Sequence, residues 1–246
     1  MKEIKEILTI KSNSLIAENT YEMKLSGCTD AITAPGQFVN IALDGFYLRR
    51  PISVCDYEEG LLTIIYKVVG KGTEYMSGLT AGTELDVLMG LGNGYDTSCS
   101  GMRPVLAGGG AGVPPMYALA KKLIEEGKKP VAVLGFNKAD EVFYYDEFRK
   151  LGAETYVTTA DGSVGTKGFV TDKIKELDGV TYFYTCGPEP MLKAVYNCCN
   201  YSGQLSFEER MGCGFGACMG CTCKTKYGNK RICKDGPVLR KEEVIW

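Results

Sequence analysis

Cys213, Cys218 and Cys221 stand in the order C-x4-C-x2-C, and Cys233 follows after eleven more residues. No other feature constrains this chain as much. Three thiolates on one tight loop, completed by a fourth from a distant segment, match the spacing that holds a [2Fe–2S] cluster. Gly212, Gly214, Gly216 and Gly220 are interleaved with them. The loop can therefore adopt positive φ and bring peptide N–H groups close to the sulfurs. A four-cysteine zinc knuckle is the competing use. Zinc sites more often pair two short C-x2–4-C hooks, and here a single C-x2-C is present. Cys223 competes for the fourth position, but one residue past Cys221 it is poorly placed to reach a second iron; Cys233 is the better ligand.

The chain has 246 residues, eleven cysteines and no histidine. That excludes Ser-His-Asp and Cys-His catalysis, His-ligated zinc or haem, and Rieske-type clusters. Proton chemistry is left to carboxylate, Lys, Tyr, Cys or a cofactor. A formal charge of −2 argues against nucleic-acid binding. No run approaches the roughly 18 apolar residues of a membrane span. The charged N-terminus, Met1-Lys-Glu-Ile-Lys-Glu-Ile, lacks the apolar core of a signal peptide. These features predict a cytoplasmic protein whose cysteines are ligands or free thiols, with no disulfide framework.

Three zones follow from the patterning. Residues 1–100 read as β, with runs at Gln37–Leu43, Leu61–Val69 and Glu84–Leu88 between turns at Pro35-Gly36, Glu59-Gly60 and Ala81-Gly82. This is the pattern of a small antiparallel barrel or sandwich. From Arg103 the rhythm becomes strand–turn–helix. Met116, Leu119, Ala120, Leu123 and Ile124 share one helix face, and Gly127 sits where the helix should end. Strands are expected at Val131–Phe136, Thr155–Thr158 and Thr181–Thr185, with helices at Val170–Leu177 and Met191–Asn200. Residues 101–203 therefore predict a doubly wound parallel α/β sheet. Residues 204–246 have neither period, and are too short for a core of their own without a metal.

Two further signals lie outside the cysteine segment. Gly108-Gly-Gly-Ala-Gly112-Val-Pro-Pro115 follows a strand and opens a helix, as a pyrophosphate turn does, although tight helix-on-strand packing needs glycines equally. Cys186-Gly187-Pro188 ends a late strand, at the edge where open α/β sheets bind ligands. In the β zone, Arg50-Pro-Ile-Ser53 and Lys67-Val-Val-Gly-Lys-Gly-Thr73 form either an anion site or a solvated basic patch.

In this order, Arg50-Pro-Ile-Ser53, Gly72-Thr73, Gly92-Asn-Gly-Tyr95, Gly108 to Pro115, Cys186-Gly-Pro-Glu-Pro-Met191 and the cysteine module resemble the ferredoxin–NADP reductase superfamily with a C-terminal [2Fe–2S] domain. Ser206 to Cys221 and Ile232-Cys-Lys-Asp-Gly-Pro-Val238 resemble, more narrowly, the electron-transfer subunits of NAD-dependent dihydroorotate dehydrogenase B. The resemblance covers essentially the whole chain. It implies an FAD-binding barrel, an NAD-binding α/β domain and a cluster domain. By the same resemblance Arg50, followed by Pro51, would bind the FAD pyrophosphate, and Ser53 would bond the isoalloxazine near N5. Ile52 stands where the superfamily often places a flavin-stacking Tyr. Lys67, Val68 and Val69 would lie along the flavin, while Gly72 and Thr73 would offer N–H and hydroxyl donors to its phosphates. Gly108, Gly109, Gly110 and Gly112 would line the NAD site, with Cys186 and Gly187 near the nicotinamide. Cys186 could equally be a small buried strand-end residue.

Phe136-Asn-Lys-Ala-Asp-Glu141 has two acids and no arginine, which favours NAD over NADP. The resemblance implies that electrons pass from dihydroorotate to FMN on a catalytic partner, then through cluster and FAD to NAD+, in a heterotetramer. No (β/α)8 pattern is present to supply the pyrimidine site. Two alternatives are a stand-alone NAD(P)H reductase of a ferredoxin, rubredoxin or sulfur acceptor, and a non-enzymatic zinc or redox sensor. Cys198 and Cys199 read as helix residues, Cys199 on the apolar face; Trp246 either docks at an interface or anchors the terminus.

Overall fold

A computed structural model describes residues 4–246. The first part comprises strands β1 (Ile4–Ala17), β2 (Thr20–Ser26), β3 (Phe38–Ile41), β4 (Arg50–Glu58) and β5 (Leu61–Lys67), helix α1 (Lys71–Ser77) and strand β6 (Glu84–Leu91). The strands close into an antiparallel barrel in the order β1-β2-β5-β4-β3-β6. Period-two alternation accounts for it. Leu8, Ile10, Met23, Leu25, Val39 and Ile41 point into the barrel core, while their neighbours face out. On β3 the outward residues are Phe38 and Asn40, and Phe38 enters a different core, shared with the C-terminal segment. Gly72 and Thr73 lie inside helix α1.

The second part runs β7 (Val105–Gly109), α2 (Val113–Glu125), β8 (Val131–Phe136), α3 (Tyr145–Leu151), β9 (Glu154–Thr159), β10 (Thr166–Lys167), α4 (Val170–Ile174), β11 (Phe183–Cys186) and α5 (Glu189–Cys198). Helix α2 carries prolines in its first turn and ends at Gly127, φ +78°, as the pattern predicts. These strands lie in the order β10-β9-β8-β7-β11. From β7 the chain winds to one side through β8 and β9, then returns to the other through β11. A crevice therefore opens at the carboxyl ends of β7 and β11. Gly108 and Cys186 are register partners at that crevice.

The sheet does not stop at residue 203. Strand β12 (Gly203–Ser206) lies parallel to β11, and after the hairpin β13 (Thr222–Thr225) and β14 (Gly228–Arg231), strand β15 (Val238–Arg240) pairs antiparallel with β12. The cysteine segment thus supplies two strands to the nucleotide-type sheet. The reason is the one that limits any short segment: it has too little surface to bury alone. Leu205, Ile232 and Leu239 share a core with Phe38 and Leu91 of the barrel and Val105 and Phe183 of the sheet. Among the described residues, no helix is long and apolar enough to cross a membrane.

Candidate cofactor sites

The four cysteines fall into two pairs. The Cys213 thiol contacts Cys218, and the Cys233 thiol contacts Cys221 and feels the charge of Cys213. Ile232 N donates to the Cys221 carbonyl at 3.1 Å, and Cys233 N donates to Cys221 Sγ at 3.4 Å. Those bonds bring Cys233, and not Cys223, against Cys221. Two thiol pairs suit two irons, each taking two thiolates. The surrounding peptides suit anionic sulfur as well. Ala217 N and Cys218 N donate to Cys213 Sγ at 3.3 and 3.4 Å, and Gly220 N donates to Cys218 Sγ at 3.5 Å. Burial pushes the Cys213 thiol up, but the N–H groups of Cys218, Phe215 and Ala217 outweigh it and bring it down to about 6. Burial and then Cys221 push Cys233 the other way, to about 12. Cys221 and Cys233 are buried, whereas Cys218 is exposed beside the exposed Phe215 and Met219. The site therefore has one inner and one outer side.

Two residues that no motif signalled hold this loop. Asn40 Nδ2, from the outer face of β3, donates to the Cys213 carbonyl at 3.4 Å. Arg231, at the end of β14, donates through Nη1 to the Gly216 carbonyl at 3.0 Å. An Arg four residues before an Asp, as in Arg231 and Asp235, was the only trace either left in the sequence.

On the barrel, Arg50 and Gly72 meet. A Cβ on Gly72 would lie 2.0 Å from Arg50 Nε, so glycine alone lets the guanidinium rest against the first turn of α1. The Arg50 guanidinium also lies over the Phe46 ring, 4.8 Å from its centroid. Ser53 is half-buried on β4 opposite Phe38. The Thr73 hydroxyl donates to the Gly70 carbonyl at 3.0 Å and accepts from Val69 N and Gly70 N. It shapes the loop Val69–Thr73. Val69 is exposed, while Pro51 and Ile52 continue β4.

At the sheet crevice the glycines separate by purpose. Cβ atoms on Gly108, Gly109 and Gly112 would meet Val113 Cα at 2.9 Å, Met191 Sδ at 2.3 Å and the Cys186 carbonyl oxygen at 2.1 Å. These three allow close packing of α2 and α5 on the strands. Gly110 (φ +51°) has nothing within 4 Å of its Cβ position. With Ile65, Tyr66 and Lys67 of the barrel it lines a narrow cleft between the two parts. Gly110 is thus the one of these four glycines that opens onto the cleft. Burial pushes the Cys186 thiol up to about 12, against a hydrogen bond with Ser206; Gly187 follows at φ +157°.

The acids after β8 are less free than the sequence implied. Glu141 accepts from Lys67 Nζ at 2.9 Å and from Asn137 N and Nδ2. Burial raises its carboxyl, but Lys67 and Asn137 outweigh it and hold the group below its usual range. Lys138 is tied to Glu18 at 2.8 Å. A larger cavity, about 600 Å³, lies between the barrel and α2–α3, lined by Glu22, Asp56, Tyr117, Tyr144 and Glu147; none of the expected cofactor residues lines it. Trp246 anchors the terminus within this chain, its ring 5.6 Å from Phe207 and 6.0 Å from Tyr196. Cys199 is buried, as its helix position predicts.

A flavin-type barrel, a nucleotide-type crevice and a four-thiol loop together define a pyridine-nucleotide-dependent flavin and iron–sulfur reductase. Residues 208–245 match the iron–sulfur cluster binding domain of dihydroorotate dehydrogenase B, and residues 106–197 match the oxidoreductase NAD-binding domain. The dihydroorotate dehydrogenase B (NAD(+)) electron transfer subunit of Fusobacterium nucleatum is 49% identical over 97% of this chain and 98% of its own. That of Bacillus caldolyticus is 46% identical over 98% of each. The chain belongs to this family of electron transfer subunits. A chain of the NADH-dependent reduced ferredoxin-NADP oxidoreductase structure superposes with a TM-score of 0.89 at 32% identity, covering 98% of this chain and 90% of that one. The ferredoxin reductase of carbazole 1,9a-dioxygenase shares the fold, with a TM-score of 0.70 at 20% identity over 80% and 65%. The cofactors of the fold and family are FAD, a [2Fe–2S] cluster and NAD.

Proposed function

We propose that this chain carries electrons between NAD+ and an FMN-containing dihydroorotate dehydrogenase subunit, within a cytoplasmic heterotetramer. One observation carries the reading. The barrel touches both other sites, through Lys67 to Glu141 at the nucleotide side and through Asn40 to Cys213 at the cluster side. A flavin on the barrel would therefore stand between nucleotide and cluster. FAD supplies the exchange between a two-electron hydride and single electrons, which a cluster can carry one at a time.

The chain's own residues bind and orient. Arg50 and the loop before α1 would hold the pyrophosphate, Ser53 the flavin edge, and Gly110 the nucleotide beside Lys67 and Cys186. Cys213 with Cys218, and Cys221 with Cys233, would ligate the two irons. The exposed side at Cys218, Phe215 and Met219 would face the partner.

The test is enzymatic. The purified chain should oxidise NADH with artificial acceptors and leave dihydroorotate untouched. Co-expressed with the FMN subunit, it should support orotate formation with NAD+ in preference to NADP+. A lone chain that oxidised dihydroorotate would refute the proposal. The likeness to the ferredoxin-NADP oxidoreductase chain favours a second reading, reduction of a ferredoxin-type acceptor; failure of any FMN subunit to co-purify would support it.

A further inference from the structure

Arg231 has its donors committed in a particular pattern. Nε and Nη2 bond the Asp235 carboxylate at 2.9 and 3.1 Å, and the backbone N–H of Arg231 donates to the same group at 3.0 Å. Nη1 donates to the Gly216 carbonyl at 3.0 Å. The Gly216–Ala217 peptide is trans, so its carbonyl and its N–H point in opposite directions. That N–H, from Ala217, donates to Cys213 Sγ at 3.3 Å. Guanidinium, carbonyl, N–H and sulfur therefore form one chain of aligned hydrogen bonds.

We propose that Arg231 is a positioning residue that sets the reduction potential of the cluster through the Gly216–Ala217 peptide; the proposal rests on Cys213 being a cluster ligand. A donor on a carbonyl polarises the whole peptide and makes its N–H the better donor. Stronger N–H bonds to ligand sulfur favour the reduced, more negative cluster. The fixed positive charge acts in the same direction, and Asp235 offsets part of it. Gly216 makes the arrangement possible. Its φ is +89°, and a Cβ there would meet Lys234 Cδ at 2.5 Å, so a side chain would strain the turn that carries this peptide.

The experiment uses the full chain with its FAD and cluster, held anaerobically at a fixed NADH-to-NAD+ ratio. The readout is the fraction of cluster reduced, by electron paramagnetic resonance. Arg231→Met should lower the reduced-to-oxidised ratio several-fold and shift the g values. Asp235→Asn leaves the guanidinium less neutralised and should raise the ratio. A merely structural turn would move both variants in the same direction. Native ratios in both, or shifts of the same sign, would overturn the proposal. If Arg231→Met assembles no cluster, the position of Asp235→Asn above or below the native protein decides alone. A native protein with iron but no cluster signal would overturn the ligand assignment first, and this inference with it.

Discussion

Asn40 of the barrel and Cys213 of the cysteine loop are 173 residues apart, joined by a hydrogen bond from Nδ2 to a main-chain carbonyl at 3.4 Å. Asn40 is fully buried, and its Oδ1 has no partner among the described residues. Half of the amide is thus spent on the cluster loop and half on nothing. Asn40→Leu removes an unpaired acceptor along with one long bond, so global stability should change by less than about 1 kcal/mol. Iron content per chain should nevertheless fall, while FAD content stays at the native level. Thermal unfolding beside iron and flavin assays would show the split.

Gly214 rests against the same amide. Its φ is +80°, and a Cβ would lie 2.3 Å from Asn40 Nδ2. Gly214→Ala combines left-handed strain of about 1–2 kcal/mol with a steric clash. The loop should lift from the barrel, with loss of most cluster absorbance.

Arg50 and Gly72 make a second pair of this kind. Gly72→Ala would displace the guanidinium without removing it. Both Gly72→Ala and Arg50→Ala should weaken FAD binding about 10- to 100-fold, the worth of a charge-assisted bond of roughly 1.5–3 kcal/mol. Flavin retention through dialysis measures this. Equal retention in all three proteins would remove Arg50 from the flavin site.

The ion pair between Lys67 and Glu141 links the barrel to the turn after β8. The Glu141 carboxyl is held below its usual 4.5. Its contribution to stability is therefore complete above that pH, and is lost as pH falls through the lowered value. Glu141→Gln should be less stable than the native protein at pH 7, and the gap should close in acid. Denaturant titrations of both proteins across pH 7 to 3 would check it.

Cys186 stands where a reactive thiol is tempting, yet burial pushes it up to about 12 from the usual 9.0. The group stays neutral through the physiological range and is a poor nucleophile. Iodoacetamide should modify the exposed Cys28 and Cys99 well before it. NADH oxidation by Cys186→Ser should show the native pH profile between pH 6 and 10.

The barrel, the parallel sheet and the cysteine loop were legible because each depends on a local period or spacing. Val39 and Ile41 alternate inward, Met116 to Leu123 recur along one helix face, and Cys213 to Cys221 sit on one loop. Residues whose role depends on distant partners were not legible. Nothing near Asn40 in sequence announces Cys213, and the pairing of Glu141 with Lys67 joins two zones that read as independent. The glycine turn shows the same limit. The sequence marks Gly108, Gly109, Gly110 and Gly112 alike, but only the folded neighbours distinguish three packing positions from the one that opens onto a cleft. Strands β12 and β15 were missed as sheet members because four and three residues carry too little pattern to stand out among glycines and cysteines.

Those two short strands make the cysteine segment inseparable from the rest. A chain cut after residue 202 would leave β11, now central, as a bare edge with unpaired peptide groups along Phe183–Cys186, an invitation to pair with another copy. It would also expose Phe183, Val105 and Leu91, which the missing residues had covered. The cluster segment therefore cannot be exchanged like a bead on a string: a fusion that borrows only the nucleotide sheet inherits an aggregation-prone flank, and one that borrows only the cysteines inherits a loop with nothing to lie on.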